Sequence, residues 1–453
     1  MPVFDPRALA VVERLRLAGF DAALVGGCVR DGLLGLPPHD YDAATAARPE
    51  EIRALFSGCP QYDAGSRFGT VAVELDGLWV EVTTFRREEG YADHRRPDRV
   101  AFSPRLEDDL TRRDFTINAM AYAPGEGVID LHGGRRDLAG GIIRCVGDPA
   151  ARFAEDALRI LRAVRFAARL DFAMDPATAA AALAARDTLQ TVSAERVYAE
   201  LDGLLAAPGA WAALDRYGAI LAGAVPEIAA CIGCSQPGRW HCYDVWRHTA
   251  AAVGALDLRG QDTRGARVLC WATFLHDIAK PPCRTVGPDG IAHFKGHNQR
   301  GAVMARAILR RLKAPVYLVE GAAGLIAIHD APVPVGDTAI LKALNRYGPV
   351  FLRRLCALKY ADLDAHAPTA EVACRRAEVS FFEARMSVLA KEGCYTVRQL
   401  AVNGADLMEA GELSGPAVGN ALHALLRAVM EGRIPNRREA LLAAARELDR
   451  SFP

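Results

Sequence analysis

The sequence predicts an α+β protein, a small mixed α/β head followed by largely helical regions. Short β-type runs separated by Gly, Pro and charged turns are confined to residues 20–150. Beyond Asp148-Pro149 nearly every segment has helical period instead. At 453 residues the chain also exceeds the size at which one hydrophobic core stops growing, so several domains are expected.

In chain order, MPVFDPRALAVVERLRLAGF reads as a first helix, because Asp5 and Glu13 interrupt any signal-peptide core. AALVGG, TVAVEL, LWVEVTTF, RVAFS and GIIRCVG read as strands, with CVRDGLLG and PEEIRALFSG as the helices framing them. FRREEGYADHRRPDRVAF, rich in charge and turn formers, reads as a surface loop. Residues 151–228 form a helical region carrying DALRILRAVRFAARL, AERVYAELDGLLAA and AWAALDRYGAI. The Gly/Pro/Cys-rich passage IAACIGCSQPGRW separates it from a second helical region at 245–365, and a third occupies 366–453.

The formal net charge is zero, so any attraction for nucleic acid must come from local arginine clusters. Apolar runs are broken by charge before they reach spanning length, which argues against a membrane protein. Eleven irregularly spaced cysteines fit reduced, mostly buried thiols and a cytoplasmic location. Cys231, Cys234 and Cys242 with His241 match no familiar zinc spacing and are read as structural.

LVGGCVRDGLLGLPPHDYDAAT carries the most chemistry. Gly26 and Gly27 follow a strand and precede a helix start, where bare backbone and free N–H groups make a seat for phosphate. Arg30 lies one turn into that helix and is positioned to add a charged contact to a triphosphate. Asp40 and Asp42 sit two apart. If HDYDA is extended, both carboxylates leave one face while Tyr41 turns to the core. Two such carboxylates repel unless cations lie between them, the design of a two-Mg²⁺ site for nucleotidyl transfer. Glu81 shares one face of LWVEVTTF with Trp79 and Thr83, either as a third metal-facing carboxylate or as an edge-strand Glu facing solvent.

In EDALRILRAVRF, Asp156, Arg159, Arg162 and Arg165 recur every third residue, on a common helix side opposite Leu158, Ile160, Leu161 and Val164. Few acids face these arginines, so phosphate or nucleotide is expected to offset their repulsion. Asp156 and Arg159 also offer an acceptor and a donor to a base edge, a way to select C or A without a template. Arg113, in DLTRRDFTINAMAY, is a triphosphate contact or part of a charged helix entrance that Asp114 caps.

FLHDIAKPP places His276 beside Asp277 in an apolar helical context, with His248 upstream and Asp362 downstream. Helices each giving one or two of these ligands would build a divalent or transition-metal site suited to phosphoester hydrolysis, or one kept as architecture. His297 and His329 are further candidates.

From residue 20 to 205, five segments in order (LVGGCVRDGLLG…HDYD, RRDFTINAMAY, DLHGGRRDL, EDALRILRAVRF and SAERVYAEL) resemble the bacterial and mitochondrial type of CCA-adding enzyme, in the tRNA nucleotidyltransferase/poly(A) polymerase family. The resemblance implies a polymerase-beta-like nucleotidyltransferase head, then a helical neck, body and tail. Gly27 and Arg30 would bind the incoming nucleotide, and Asp40 and Asp42 two Mg²⁺ ions. Arg113, Asp156, Arg159, Arg162 and Arg165 would complete the nucleotide site, Asp156 and Arg159 pairing with the base. The implied reaction adds C, C and A to tRNA from CTP and ATP, so the nucleic-acid partner is RNA and not DNA. Residues 245–365 resemble the HD phosphohydrolase superfamily, with His248, His276, Asp277 and Asp362 as the metal set. Within the last helical region, 366–453, the stretch VNGADLMEAGELSGPAVGNALHALLRAVMEGRIPNRREALL resembles the C-terminal region of HD-bearing members and implies a hold on the tRNA body. A poly(A) polymerase, a CC-adding or A-adding enzyme, and an HD phosphohydrolase with an RNA-binding head are the alternatives. None of these patterns fixes an oligomeric state.

Overall fold

Strand and helix alternate through the first third of the chain because a central sheet must be covered where its β-branched faces meet water. The computed structural model describes residues 3–65, 69–89, 99–238, 240–409 and 414–449. It divides into two units, Met1–Ile232 with Arg311–Ala314, and Gly233–Arg310 with Pro315–Pro453.

The first unit opens with helix α1 (Pro6–Leu17), capped by the Asp5 side chain and burying Ala8, Val11, Val12 and Leu15. Strand β1 (Ala22–Val25) runs into helix α2 (Gly27–Leu33), and strand β2 (Tyr41–Thr45) precedes helix α3 (Pro49–Leu55). Strands β3 (Gln61–Gly65), β4 (Thr70–Leu75) and β5 (Leu78–Thr84) follow. Strands β6 (Arg86–Glu89) and β7 (Arg99–Phe102) then lead to helix α4 (Leu106–Thr111), strand β8 (Met120–Ala123) and strand β9 (Gly127–Asp130). Seven strands form one sheet in the order β3-β4-β5-β2-β1-β8-β9. Within it β2 pairs with β5 in parallel and with β1 antiparallel.

Helices α5 (Gly134–Ala139), α6 (Pro149–Glu155), α7 (Leu158–Leu170), α8 (Pro176–Ala184), α9 (Ala194–Leu205) and α10 (Ala210–Leu221) complete this unit. Two-residue strands β10 (Ile142–Ile143) and β11 (Ala173–Met174) pair in parallel among them. Helix α7 is strongly amphipathic, burying Leu158, Ile160, Leu161, Val164 and Phe166.

The second unit is helical: α11 (Val245–Gly254), α12 (Thr263–Leu275), α13 (Lys280–Cys283), α14 (His297–Arg311), α15 (Val316–Ile328), α16 (Asp337–Asp364), α17 (Ala370–Glu392), α18 (Gly404–Glu409), α19 (Pro416–Met430) and α20 (Arg438–Asp449). A small hairpin of β12 (Thr285–Val286) and β13 (Ala292–His293) interrupts them. Helix α16 kinks at Gly348, whose φ of 75° a left-handed turn requires, just before Pro349. Leu400, Leu407, Leu425, Leu426 and Leu441 share a separate C-terminal core. No helix among the described residues is long and apolar enough to cross a membrane.

Four local expectations are corrected. FTINAMAY is not a helix: Thr116–Asn118 is one 3₁₀ turn and Met120 begins β8, whose β1 and β9 pairing outweighs the local pattern. Asp114 therefore caps no helix, although its carboxylate accepts from the Phe115 N–H at 2.8 Å. Asp156 stands in an extended break between α6 and α7 and accepts from the Leu158 N–H, so it does not share a helix with the arginines. His276 and Asp277 lie just past the end of α12. The charged loop is partly a hairpin, β6 pairing with β7; its residues 90–98 lie outside the described residues.

Candidate active site

The double glycine after β1 decides the geometry of the first site. Gly26 has φ 78°, a conformation that glycine adopts without strain, and it turns the chain from β1 into α2. A methyl group on Gly26 would come within 2.8 Å of Arg113 Nη1 and 3.6 Å of Asp42 Oδ2. Turn, guanidinium and carboxylate are therefore in one place. Replacing Gly26 with Ala is expected to destabilise the protein by about 1–2 kcal/mol and to raise KM for nucleotide, because Arg113 must give way. Thermal unfolding and steady-state kinetics check both; an unchanged Tm and KM would show the close approach to be unimportant.

Strand β2 carries Asp42 outward while Tyr41, Ala43, Ala44 and Thr45 are buried. Tyr41 accepts a 2.9 Å hydrogen bond from the Asp5 N–H at the start of α1, fixing which way the strand faces. Asp40 stands exposed in the bend just before β2. Glu81, on the parallel neighbour β5, is in register with Asp42. It belongs to the exposed face of β5, whose Val80 and Val82 are buried. Burial pushes the Asp42 carboxyl up; Arg113 opposes this, while Glu81 and Asp40 add to it. Asp42 thus has one arginine and three acids, Glu81, Asp40 and Asp109, as charged neighbours, an environment that favours a cation.

Arg113 is held by Asp109, which is fully buried and takes Arg113 Nη2 at 3.0 Å and Arg112 Nη2 at 2.6 Å. Asp109 was not anticipated from the sequence, although its i,i+3 and i,i+4 spacing to the two arginines was visible. Arg113 Nε is buried without a hydrogen-bond partner in the structure. Gly27 is the first residue of α2, with Arg30 Nη2 3.7 Å from where its side chain would begin. Arg30 itself is only 3% exposed. It pairs with Asp31 at 2.7 Å, donates to Asn118 at 2.6 Å and lies over the Phe166 ring. These contacts tie α2 to the β8 flank and α7, leaving Arg30 little surface of its own.

The row of arginines is not short of acids. Arg159 pairs with Glu155, Arg162 with Asp114 at 2.7 Å, and Arg165 with Glu200. The expected repulsion is offset inside the protein, because α6, α9 and the segment after α4 each bring a carboxylate. Arg159 Nη2 also donates to the Arg112 carbonyl at 3.2 Å, and Asp114 follows Arg113 directly. This side of α7 therefore adjoins the segment that carries Arg113. Asp156 is oriented twice over: Oδ1 accepts from the Leu158 N–H at 3.0 Å and Oδ2 from Arg196 at 2.7 Å. Arg196 too was missed, its partner lying 40 residues away in sequence.

The second unit gathers the histidines. His248 Nε2 lies 2.8 Å from Asp362 and 3.6 Å from Asp277. His276 Nε2 lies 3.2 Å from Asp277 and 3.6 Å from Asp362. The expected four ligands thus meet. Burial lowers His248 and takes His329 down to about 3. At His276 burial acts in the same direction but Asp277 and Asp362 overcome it, raising that ring to about 10. Asp277 Oδ1 is buried without a hydrogen-bond partner, while Lys280 Nζ pairs with Asp277 Oδ2 at 2.7 Å; a metal ion here would displace the proton of the His276 ring and take these atoms as ligands. Cys231, Cys234 and Cys242 form no such group among the described residues, and His241 instead packs against His248 and His366.

Comparison with known proteins agrees with both the fold and the order of segments. Residues 22–144 match the Poly A polymerase head domain, 171–230 an RNA and SrmB- binding site of polymerase A, and 390–445 the tRNA nucleotidyltransferase domain 2. The CCA-adding enzyme of Limosilactobacillus fermentum is 35% identical over 450 residues, covering 98% of this chain and 97% of its own. That of Geobacillus stearothermophilus is 35% identical over 448 residues, covering 98% and 97%. The crystal structure of the Bacillus stearothermophilus CCA-adding enzyme in complex with CTP superposes with a TM-score of 0.69 at 31% identity, covering 98% of both chains.

Proposed function

Because the chain belongs to the CCA-adding enzyme family, we propose that it adds C, C and A in turn to the 3′ end of tRNA, taking CTP and ATP and releasing pyrophosphate. The observation that carries this reading is the meeting of Asp42, the Gly26 turn and Arg113, with Glu81 in register beside Asp42. A binding module needs no acids beside a phosphate seat; a transferase that holds cations does. A relative of 31% identity binds CTP, which supports the same substrate here.

The donor set at Asp40, Asp42 and Glu81 is all carboxylate oxygen, with Asp42 pushed up by burial and by its acidic neighbours. Hard oxygen donors that crowd one another fit Mg²⁺, and we infer two Mg²⁺ ions held by Asp40 and Asp42, with Glu81 beside them. When bound, such ions lower the pKa of the RNA 3′-hydroxyl and offset charge on the triphosphate and departing pyrophosphate. The 3′-oxygen bonds to the α-phosphorus as the bond to the β-phosphate bridge breaks. Arg113 and the amides at Gly27 hold the triphosphate, and Arg30 keeps α2 in place for them. The cytoplasm, where CTP, ATP and tRNA meet, is the location we infer, consistent with eleven free cysteines.

Asp156 and Arg159 select the base, while Arg162 and Arg165 complete the wall of the nucleotide site. Replacing Arg159 with Ala is expected to remove about 1–3 kcal/mol of discrimination, an altered ratio of kcat/KM for CTP over ATP. Equal loss with both nucleotides would assign Arg159 to packing alone. The reaction itself is tested with tRNA lacking its last three nucleotides and labelled CTP and ATP. Two C residues followed by one A support the proposal; a long A tract would replace it with poly(A) synthesis.

A second reading is favoured by Asp277 Oδ1, which is buried without a hydrogen-bond partner. His248, His276, Asp277 and Asp362 hold a divalent transition metal, the mixed imidazole and carboxylate set such ions prefer.

A further inference from the structure

The sheet face that carries Asp42 continues past the acids and stays open there. Glu81 is in register with Asp42 on one side and with Ala72 of β4 on the other. Ala72 is in turn in register with Tyr62 of the edge strand β3. Partners in register share a face, so Asp42, Glu81, Ala72 and Tyr62 form one row across four strands. Trp79 stands two residues before Glu81 and hence on that same face of β5, opposite Glu74 of β4. It precedes Val80, the partner of Tyr41, and so lies level with the bend that holds Asp40.

Tyr62 and Trp79 are 51% and 42% exposed, yet their rings meet, with centroids 4.9 Å apart and planes inclined at 56°. Ala72, on the strand between them, is fully buried. The remainder of each ring faces water, a flat apolar surface of the kind on which a nucleic-acid base stacks.

The chemistry fixes the side from which RNA must enter. Displacement at the α-phosphorus is in line, with the attacking 3′-oxygen and the departing pyrophosphate on opposite sides of it. Strand β2, which carries Asp42, has β1 on one side and β5 on the other. The β1 side is taken by the triphosphate seat, because β1 leads into the Gly26 turn and Arg113 approaches that glycine. The 3′-hydroxyl must therefore come from the β5 side, where Glu81, Trp79 and Tyr62 stand. Neighbouring strands lie about 5 Å apart and two residues of a strand span about 7 Å, so Trp79 is within reach of the last nucleotide of the RNA. Charge points the same way. Glu74 and Glu81 flank Trp79 on its face and repel phosphate, but the uncharged face of a base meets no such penalty.

We propose that Tyr62 and Trp79 form the platform on which the 3′-terminal base of the tRNA stacks while its hydroxyl reaches the site at Asp40 and Asp42. This rests on the triphosphate seat assigned above to Gly27 and Arg113. Stacking is tolerant of base identity, which suits a primer whose last base changes with each round of addition.

The test crosses variants of the full chain with two primers. On tRNA lacking its last three nucleotides, Trp79→Ala should lower kcat/KM for the tRNA about 10-fold or more, the loss of one stacked base. KM for CTP should not change. Trp79→Phe should keep most of the activity, since a smaller ring still stacks. The same tRNA with the base removed from its last nucleotide should cost the parent that factor and cost Trp79→Ala nothing further. Each comparison of primers is made on one variant, so a change in stability cancels. Losses that add, or Trp79→Phe as poor as Trp79→Ala, would rule stacking out. A raised KM for CTP in Trp79→Ala would place the ring on the incoming nucleotide and overturn the platform. Arg113→Lys, measured alongside, separates this inference from the reading beneath it. It should raise KM for CTP and still lose the full factor on the abasic primer. No rise in KM for CTP would mean that the triphosphate seat itself is wrong. The expected rise, with Trp79→Ala indistinguishable from the parent, would overturn the platform alone.

Discussion

Asp42→Asn is expected to slow nucleotide addition by about 10³-fold or more, since ion-mediated stabilisation of the transferring phosphate is worth several kcal/mol. The same substitution should leave the metal-free protein at least as stable as the parent. Burial, together with the neighbouring Glu81 and Asp40, pushes the Asp42 carboxyl up against the opposing pull of Arg113. An acid whose folded pKa lies above its unfolded value of about 3.9 holds its proton more tightly in the native state. Its ionisation therefore costs stability as pH rises through that range, and the whole cost is present at neutral pH. Asn keeps the shape and removes the cost. Single-turnover C addition and thermal unfolding in chelator, on one preparation, check the opposed effects. A fall in metal-free stability with little change in rate would mean that Asp42 is a structural partner of Arg113 and not a metal ligand.

Asp109→Ala should have the largest effect on stability, a loss of about 3–5 kcal/mol, the cost of leaving buried charge unpaired. Asp109 is fully buried and compensates Arg112 and Arg113 together. Burial pushes its carboxyl up, but the two guanidiniums overcome that and hold it below the ordinary value. The sign is opposite to that of Asp42. The stability it contributes is fully present above the unfolded pKa of about 3.9 and is lost as pH falls through the depressed folded value. Urea unfolding at neutral pH should show the deficit, and it should shrink on acidification below pH 4. KM for CTP should rise as well, because Arg113 loses its anchor beside Gly26. A loss under about 1 kcal/mol, the range of an exposed ion pair, would contradict the account of this residue.

The parts of the site legible in the sequence were those set by local periodicity. Asp42 beside a buried Tyr41 in β2 follows from strand alternation, as do the buried faces of β5 and α7, whereas Asp40 stands in the bend before β2 and not in the strand expected for HDYDA. What escaped was set by partners distant along the chain. The arginines of α7 looked uncompensated because Asp114 and Glu200 lie 48 and 35 residues from Arg162 and Arg165. FTINAMAY, with an apolar pattern that a helix could satisfy, is drawn into the sheet by β1 and β9 on either side. The break that puts Asp156 outside α7 was masked by a continuous helical pattern, and only the fold reveals Arg196 as its partner. The register of Asp42 with Glu81 likewise needs the parallel pairing of β2 and β5, which no spacing in the chain specifies. His297 and His329 were visible as residues, but their meeting on the far oxygen of Asp277 was not.

The central claim concerns where the triphosphate and its ions sit. A crystal of the protein grown with Mn²⁺ and a non-reactive CTP analogue, with anomalous scattering recorded at the manganese edge, tests it directly. The account predicts manganese bound by Asp40 and Asp42, and a triphosphate lying against Gly27 and Arg113. Manganese absent from both aspartates, or a triphosphate bound away from the glycine turn, would contradict it.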